Sequence, residues 1–367
     1  MPATTADTGT TPAGTGTNTA SDSAGTSTST ATAATAAPAA EPVRRLTGLK
    51  PTGRLHLGNL VGAIRPMVTA QASRTSSLVA IVDLHALTVE HRPHEVRGYT
   101  LEQATTLLAA GVDPDRTTLF VQSQVPEHTE LHFLLECVTG YGEAHRMIQF
   151  RERSTGAHTR LSLLTYPVLM AADILLHDTD EVPVGDDQTQ HLELARDIAV
   201  RFNTRYGDTF TVPRGVNPPV AARIRDLTDP TAKMGKSTDT TAGTLHLLDP
   251  PDVLRRKLRR AVTDPDPVVR YEPVGQPGVA NLLEILAAGT GPGRDPAALA
   301  AEFGSYQQLK EATIDAVIGM LAPIQRRYAE LAGDPGQVRA VLATGAAQVR
   351  ERAAATVTRA RRAIGLL

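Results

Sequence analysis

Arg45-Leu46-Thr47-Gly48-Leu49-Lys50-Pro51-Thr52-Gly53-Arg54-Leu55-His56-Leu57-Gly58-Asn59 is the stretch that decides the fold. Its first five residues read as a strand, its middle as a glycine-punctuated turn, and the sequence from about Gly58 as a helix. Such a junction offers the free N–H groups of a helix start to an anion, and glycine lets the backbone come close to it. Taken alone it is equally an ordinary strand-to-helix turn. It carries neither the dinucleotide fingerprint nor a Gly-Lys-Ser or Gly-Lys-Thr phosphate loop.

Outward from there the pattern repeats. Leu78-Val79-Ala80-Ile81-Val82-Asp83 is a run of the buried-strand type, and a helix follows from Pro93, with proline in its first turn. Thr118-Leu119-Phe120-Val121 predicts a third strand and Val182-Pro183-Val184 a fourth. This alternation predicts an α/β fold, a Rossmann-like parallel sheet with helices on both faces and ligands at the carboxyl ends of its strands. From Asp249 the strand signals fade, and 250–262, 279–288, 306–331 and 338–364 read as helices. The expected organisation is a tail over 1–42, a Rossmann-like catalytic domain over 43–248 and an all-helical domain over 249–367.

The tail is nearly all Thr, Ala, Ser and Gly, which cannot bury enough apolar surface to offset its ordering entropy, so disorder is expected there. It lacks the basic start and apolar stretch of a secretion signal. The whole chain of 367 residues carries a formal charge of -2, so any polyanion contact must come from a local patch. Its one cysteine, Cys137, allows no internal disulfide and no Cys-x-x-Cys metal site. That usage suits the cytoplasm. No apolar run is long enough to span a bilayer, and neither a structural metal nor a membrane partner is expected.

Four further segments carry chemistry. In Ala232-Lys233-Met234-Gly235-Lys236-Ser237 two lysines can converge on one polyphosphate, although a lone Lys-x-x-Lys is more often a solvated loop. Leu164–Leu176 predicts an apolar helix on which Tyr166, Met170 and Asp173 share a face at i, i+4 and i+7. A carboxylate on such a face is costly without a partner. Asp173 is therefore either a capped or ion-paired residue, or the acceptor for a ligand N–H. Gly185-Asp186-Asp187-Gln188, after the fourth strand, suits sugar hydroxyls, though aspartates there are also ordinary helix caps. Arg255-Arg256-Lys257-Leu258-Arg259-Arg260 reads as a phosphate-binding patch or as a solvated helical face.

Together these pieces resemble the tryptophanyl-tRNA synthetases of class I over 44–365. The resemblance rests on Pro-Thr-Gly-Arg-Leu-His-Leu-Gly-Asn at 51–59, a His-Ile-Gly-His type of signature, and on Val-Asp-Leu-His-Ala-Leu-Thr at 82–88. It rests also on Gln-Ser-Gln-Val-Pro-Glu-His at 122–128, Leu-Thr-Tyr-Pro-Val-Leu-Met-Ala-Ala-Asp at 164–173, Val-Pro-Val-Gly-Asp-Asp-Gln at 182–188, and a Lys-Met-Ser-Lys-Ser type of loop at 233–237. It implies ATP-dependent activation of tryptophan, transfer to tRNA(Trp), a helical anticodon-binding domain, a homodimer, and magnesium carried in by ATP.

The same resemblance implies residue roles. Lys50, Pro51, Thr52, Gly58 and Asn59 would line the ATP site, with His56 beside the phosphates. Gly185, Asp186 and Asp187 would hold the ribose and adenine region, and Ile224 would touch the base. Lys233 and Lys236, in a loop completed by Met234, Gly235 and Ser237, would bind the leaving pyrophosphate. Asp173 would accept the indole N–H, Met170 and His85 would line the ring pocket, and Tyr166 and Gln188 would orient the amino group. The chain departs from the family at Lys50, where glutamine is usual, at Leu60 and Leu84, and at Gly235 in place of serine. Lys50 puts a positive charge at the edge of the active centre, where it would strengthen ATP contact or exclude a poisonous tryptophan analogue, as in a specialised inhibitor-tolerant copy. A tyrosine-specific enzyme, a small-molecule adenylyl transferase and a non-catalytic binding protein of the same descent are the rival readings; Met170-Ala171-Ala172-Asp173 argues against the first, the long helical domain against the second, and intact Lys233, Lys236 and Asp173 against the third.

Overall fold

Among the described residues, five strands form one parallel sheet: β1 (Arg44–Leu49), β2 (Ser76–Ile81), β3 (Thr117–Val121), β4 (Glu181–Pro183) and β5 (Arg214–Val216). A computed structural model describes residues 42–73, 75–185, 188–216, 224–235, 241–291 and 293–367. The expected tail, except for Pro42, lies outside them. The strand order is β3-β2-β1-β4-β5, with Leu46 beside Leu78 and Leu78 beside Thr118. The chain thus builds outward from β1 to β3, then returns to the other side of β1 to lay down β4 and β5. In open α/β sheets ligands bind at such a reversal, beyond the carboxyl ends of the two strands, here β1 and β4.

Helices fill both faces. After β1 come α1 (Leu57–Asn59), a π-helical stretch Leu60–Ile64 and α2 (Arg65–Ala70). Then α3 (Asp83–Ala86) and α4 (Pro93–Ala109) join β2 to β3, and α5 (Glu127–Glu136), α6 (Tyr141–His145), α7 (Ile148–Arg153) and α8 (Leu161–Leu176) lead back to β4. α9 (Thr189–Tyr206) precedes β5. The C-terminal region is helical: α10 (Pro251–Arg259), α11 (Pro277–Thr290), α12 (Pro296–Ala300), α13 (Tyr306–Gly333) and α14 (Pro335–Ala363). Four strands and the long C-terminal helices match the sequence expectation to within a few residues. The fifth strand and the π-helical stretch were not expected, and α8 begins three residues earlier than its apolar run.

Side-chain alternation along β2 and β3 divides the core in two. Val79, Ile81, Leu119 and Val121 face one apolar cluster with Leu57, Leu60, Ile64, α4 and helices α10, α11 and α13. Leu78, Ala80, Val82 and Phe120 face the other, with α5, α8, α9 and the C-terminal part of α14. Across the reversal, Glu181 opens β4 buried between two cations, ion-paired to Arg45 of β1 and Arg214 of β5. The Arg45 hydrogen bond, with both positive charges, holds its carboxyl below the usual range.

The open edge of the sheet at β3 is covered by α14, which approaches closely because residue 345 has no side chain. A Cβ at Gly345 would stand 2.0 Å from the carbonyl oxygen of Leu119. In an exposed helix, Gly→Ala gains about 1 kcal/mol from propensity. Here the obstacle is backbone in a core strand that cannot swing aside, so the clash wins. Gly345→Ala is expected to lose about 1–3 kcal/mol net, seen as a lower urea midpoint; a parental midpoint would contradict this packing.

Candidate active site

Asp173 stands on α8, 4% exposed, and three side chains from other elements converge on its carboxylate. Gln122, just past β3, donates its amide from 2.6 Å to Oδ1, and His85 of α3 places Nε2 2.8 Å from Oδ2. His128 of α5 brings Nδ1 to 2.7 Å from Oδ1. The Gln122 amide is oriented by its other end, which accepts the Leu84 backbone N–H at 3.1 Å. Behind His128 lies His177, with the two Nε2 atoms 3.3 Å apart and the His177 ring edge-on to Phe120. Burial pushes the His177 imidazole well down, with the neighbouring His128 adding to it, so His177 is neutral at pH 7. With His177 Nε2–H donating to His128 Nε2, the His128 Nδ1–H lies beside the Asp173 carboxylate, while His177 Nδ1 finds no hydrogen-bond partner among the described residues. Burial alone would raise the Asp173 carboxyl, but the His128 and His85 hydrogen bonds and charges outweigh it and hold it far below the usual range. The carboxylate is ionised. Of its roughly four lone-pair positions three are taken, which leaves one for a further donor.

The same face of α8 carries the other expected residues. Tyr166 meets the His85 ring edge-on at 6.1 Å between centroids, and Met170 is half-buried on the second apolar cluster. The Tyr166 hydroxyl lies 2.7 Å from His191 Nε2, and His191 Nδ1 lies 3.2 Å from Gln188 Oε1. Burial raises the Tyr166 phenol above its ordinary value against the nearby Arg153 charge, so it stays protonated. The structure thus brings His85, Tyr166, Met170 and Asp173 together, with Gln188 reaching them through His191. Asp173 has His85, His128 and Gln122 as partners, as the first sequence reading of it required, and it keeps acceptor capacity. Gln122, His128, His177 and His191 were missed. A polar Gln-Ser-Gln following an apolar strand was the available signal for the first of them.

On the nucleotide side, the Lys50 ammonium donates to Thr88 Oγ1 at 3.1 Å, and that hydroxyl donates to the His85 carbonyl at 2.9 Å. Burial, with Arg153 second, lowers the Lys50 ammonium below its ordinary value. Pro51 is buried and Thr52 exposed. Buried His56 donates its backbone N–H to Asn59 Oδ1 at 3.1 Å, closing the helix start. Gly58 sits over that imidazole, and a Cβ there would lie 3.9 Å from the Ile224 Cβ.

Ile224 belongs to the stem of the lysine loop. Its carbonyl accepts the Met234 N–H at 3.2 Å, Lys233 bridges back to Arg225, and the Met234 side chain is buried in the first apolar cluster. Lys233 is exposed. The chain beyond the loop returns to the turn after β1: Leu57 N–H donates to Leu245 O at 2.8 Å, Leu247 N–H to Leu55 O at 3.0 Å, and His56 bridges His246. The turn and the loop stem, remote in sequence, are therefore adjacent. Gly185 is exposed after β4 and accepts the Gln188 N–H at 2.9 Å. Asp186, Asp187, Lys236 and Ser237 lie outside the described residues.

The basic run on α10 divides by helical face. Arg255, Arg256, Arg259 and Arg260 line a shallow outer depression, with Glu311 3.0 Å from Arg259 and 3.6 Å from Arg255. Lys257 and Leu258 turn inward, so Lys257 is no part of that patch.

The family model of class I tRNA synthetases (W and Y) matches residues 38–322. Tryptophan--tRNA ligase 1 of Streptomyces coelicolor is 55% identical over 329 residues, covering 88% of this chain and 97% of that protein. The crystal structure of tryptophanyl-tRNA synthetase from Mycoplasma pneumoniae superposes with a TM-score of 0.81 at 37% identity, over 89% of this chain and 98% of the other. That from Campylobacter jejuni, complexed with ADP and tryptophan, gives 0.76 at 30% identity over 88% and 100%. The fold, the juxtaposed nucleotide turn and lysine loop, and these matches agree: the chain belongs to the class I tryptophanyl-tRNA synthetases.

Proposed function

We propose that the chain activates L-tryptophan with ATP, forming tryptophanyl-adenylate and pyrophosphate, and then transfers the amino acid to tRNA(Trp), releasing AMP. The observation that carries the choice of amino acid is the Asp173 carboxylate, ionised, locked by three donors and left with one acceptor position. An indole N–H completes it. Phenylalanine would leave that position unpaired, a penalty that makes a separate editing site unnecessary.

The substrate carboxylate is already a nucleophile at neutral pH, so the first step needs no general base. It attacks the α-phosphorus in line, the bond to the bridging oxygen breaks, and pyrophosphate leaves; magnesium carried in by ATP would offset negative charge on the phosphates. What the chain supplies is alignment and positive charge. Gly58 and Asn59 line the ATP site with His56 beside the phosphates, Lys233 and Lys236 meet the departing pyrophosphate, and Gly185, Asp186 and Asp187 hold the ribose and adenine region. Class membership assigns the second attack to the 2′-hydroxyl of the terminal tRNA ribose. The all-helical region from 249 onward, supported by the helices α10 to α14, would read the anticodon.

A second reading is favoured by the Lys50–Thr88–His85 link, which couples the residue that departs from the family to the ring pocket. Lys50 would make this copy tolerant of tryptophan-like inhibitors. We also propose a cytoplasmic homodimer: Phe133, Tyr141, Ile148 and Leu161 stay 64%, 70%, 53% and 72% exposed in the single chain, apolar surface that a partner copy would cover. No described helix is long and apolar enough to cross a membrane.

Tryptophan-dependent ATP–pyrophosphate exchange is the deciding measurement. The parent should exchange with tryptophan and not with tyrosine or phenylalanine, and Asp173→Ala should lower kcat/KM for tryptophan by about a hundredfold or more with KM for ATP little changed. Equal exchange with phenylalanine, or none with any amino acid, would end this reading. Lys50→Gln should bind tryptophan-like inhibitors more tightly than the parent; equal inhibition constants remove the second reading. Light scattering should give twice the chain mass, and a monomer at micromolar concentration would contradict the dimer.

A further inference from the structure

We propose that the buried pair Lys257–Asp249 is a positioning latch: it fixes the strap of residues 244–249 between the C-terminal helices and the nucleotide site, and through the strap it sets the lysine loop. The inference rests on the functional reading above for its kinetic consequence, though not for its structural one.

The strap is bonded on three sides. Toward the lysine loop, Thr244 Oγ1 donates to Gly235 O at 3.2 Å. Toward the turn after β1, Leu245 O accepts from Leu57, His246 bridges His56, and Leu247 N–H donates to Leu55 O. Toward the C-terminal helices, Gln325 of α13 donates its amide to Leu247 O and Asp249 O, both at 2.9 Å. Lys257 of α10 closes the set. Its ammonium donates to Thr244 O at 2.8 Å and to Asp249 Oδ2 at 2.7 Å, the two ends of the strap. Asp249 Oδ2 also accepts the His246 N–H at 3.2 Å.

The chemistry favours a locating role over a merely cohesive one. The Lys257 and Asp249 side chains are 10% and 11% exposed, while the paired arginines on the same helix are 41–56% exposed. Two apolar residues would serve cohesion at least as well as a buried ion pair, whereas an ion pair with directed hydrogen bonds specifies register. A compact ammonium with three donors can join a carboxylate and a carbonyl that no alkyl group would hold in place. Any displacement of α10, which together with Arg260 presents four arginines outward, is thereby delivered to the segment that bonds both Gly235 and the turn at Leu55–Leu57.

Two readouts test the latch. In pyrophosphate exchange, Lys257→Met should lower kcat/KM for ATP roughly 10- to 100-fold while KM for tryptophan stays within about twofold, since the misplacement falls on the phosphate side. Lys257→Arg should restore most of the loss. In a Lys233→Ala background the further loss from Lys257→Met should shrink to about threefold or less, as expected for residues acting through one element. Amide hydrogen exchange reads the same latch without activity: in Lys257→Met the Leu57, Leu247 and Met234 amides should exchange at least about tenfold faster, with those of α8 unchanged. Gln325→Met, which removes two neutral hydrogen bonds, should give smaller changes of the same sign and stands in if Lys257→Met does not fold. Equal losses for both substrates, full additivity with Lys233→Ala, or unaltered strap amides would overturn the latch. A parent protein without tryptophan-dependent exchange would overturn the functional reading instead, and the amide exchange would still decide the latch.

Discussion

Strands β1 and β4 lie side by side although Arg45 and Glu181 are 136 positions apart, and the ion pair between them spans the point where the sheet reverses its order. Arg214 holds the same carboxylate from β5. Everything functional hangs from this reversal. In open α/β sheets the loops leaving neighbouring strands part at such a reversal; here they are the loop after β1, which carries His56 and Gly58, and the loop after β4, which carries Gly185. A buried carboxylate between two guanidinium groups is costly to separate from either, so the sheet has little freedom to re-register there.

The two halves of the site solve different problems. The amino-acid side is built from side chains held rigidly in a water-poor interior, where Asp173 would be intolerable without Gln122, His85 and His128. Under the proposed function that rigidity would convert the remaining lone pair into discrimination, because a carboxylate held from several sides cannot shift to accommodate a ligand lacking the N–H. The nucleotide side is built from backbone and loops. Its parts are stitched by short bridges, His56 to His246 and Arg225 to Lys233, which would suit the admission of a triphosphate under the proposed function.

The strands of the core were legible because each is a short apolar run bounded by turn residues. β5 was not: Arg214-Gly215-Val216 is three residues long, with two exposed, and carries no periodicity to read. Asp173 was legible as the one acid in an apolar helix. The family resemblance put His85 in the same pocket, but its bond to Asp173 and that of Gln122 were hidden, because they reach across 88 and 51 positions and a lone histidine in sequence has no direction. The pairing of the lysine loop with the first turn runs through Thr244-Leu245-His246-Leu247, which looks like any loop. The inward turn of Lys257 was legible in principle, since Leu254, Lys257, Leu258 and Ala261 share a helical stripe; the density of positive charge around it drew attention to the wrong face.

The contact of α14 with the outer edge of β3 bears on how the molecule is made. All five strands are translated before Gly345, so a growing chain on the ribosome holds a nearly complete sheet whose last row of N–H and C=O groups has nothing to bond to. Until α14 emerges and settles, that row is open to the same row on a neighbouring nascent chain. The interval between synthesis of β3 and synthesis of α14, more than two hundred residues on the order of 5–20 residues per second, leaves that edge of the sheet uncovered.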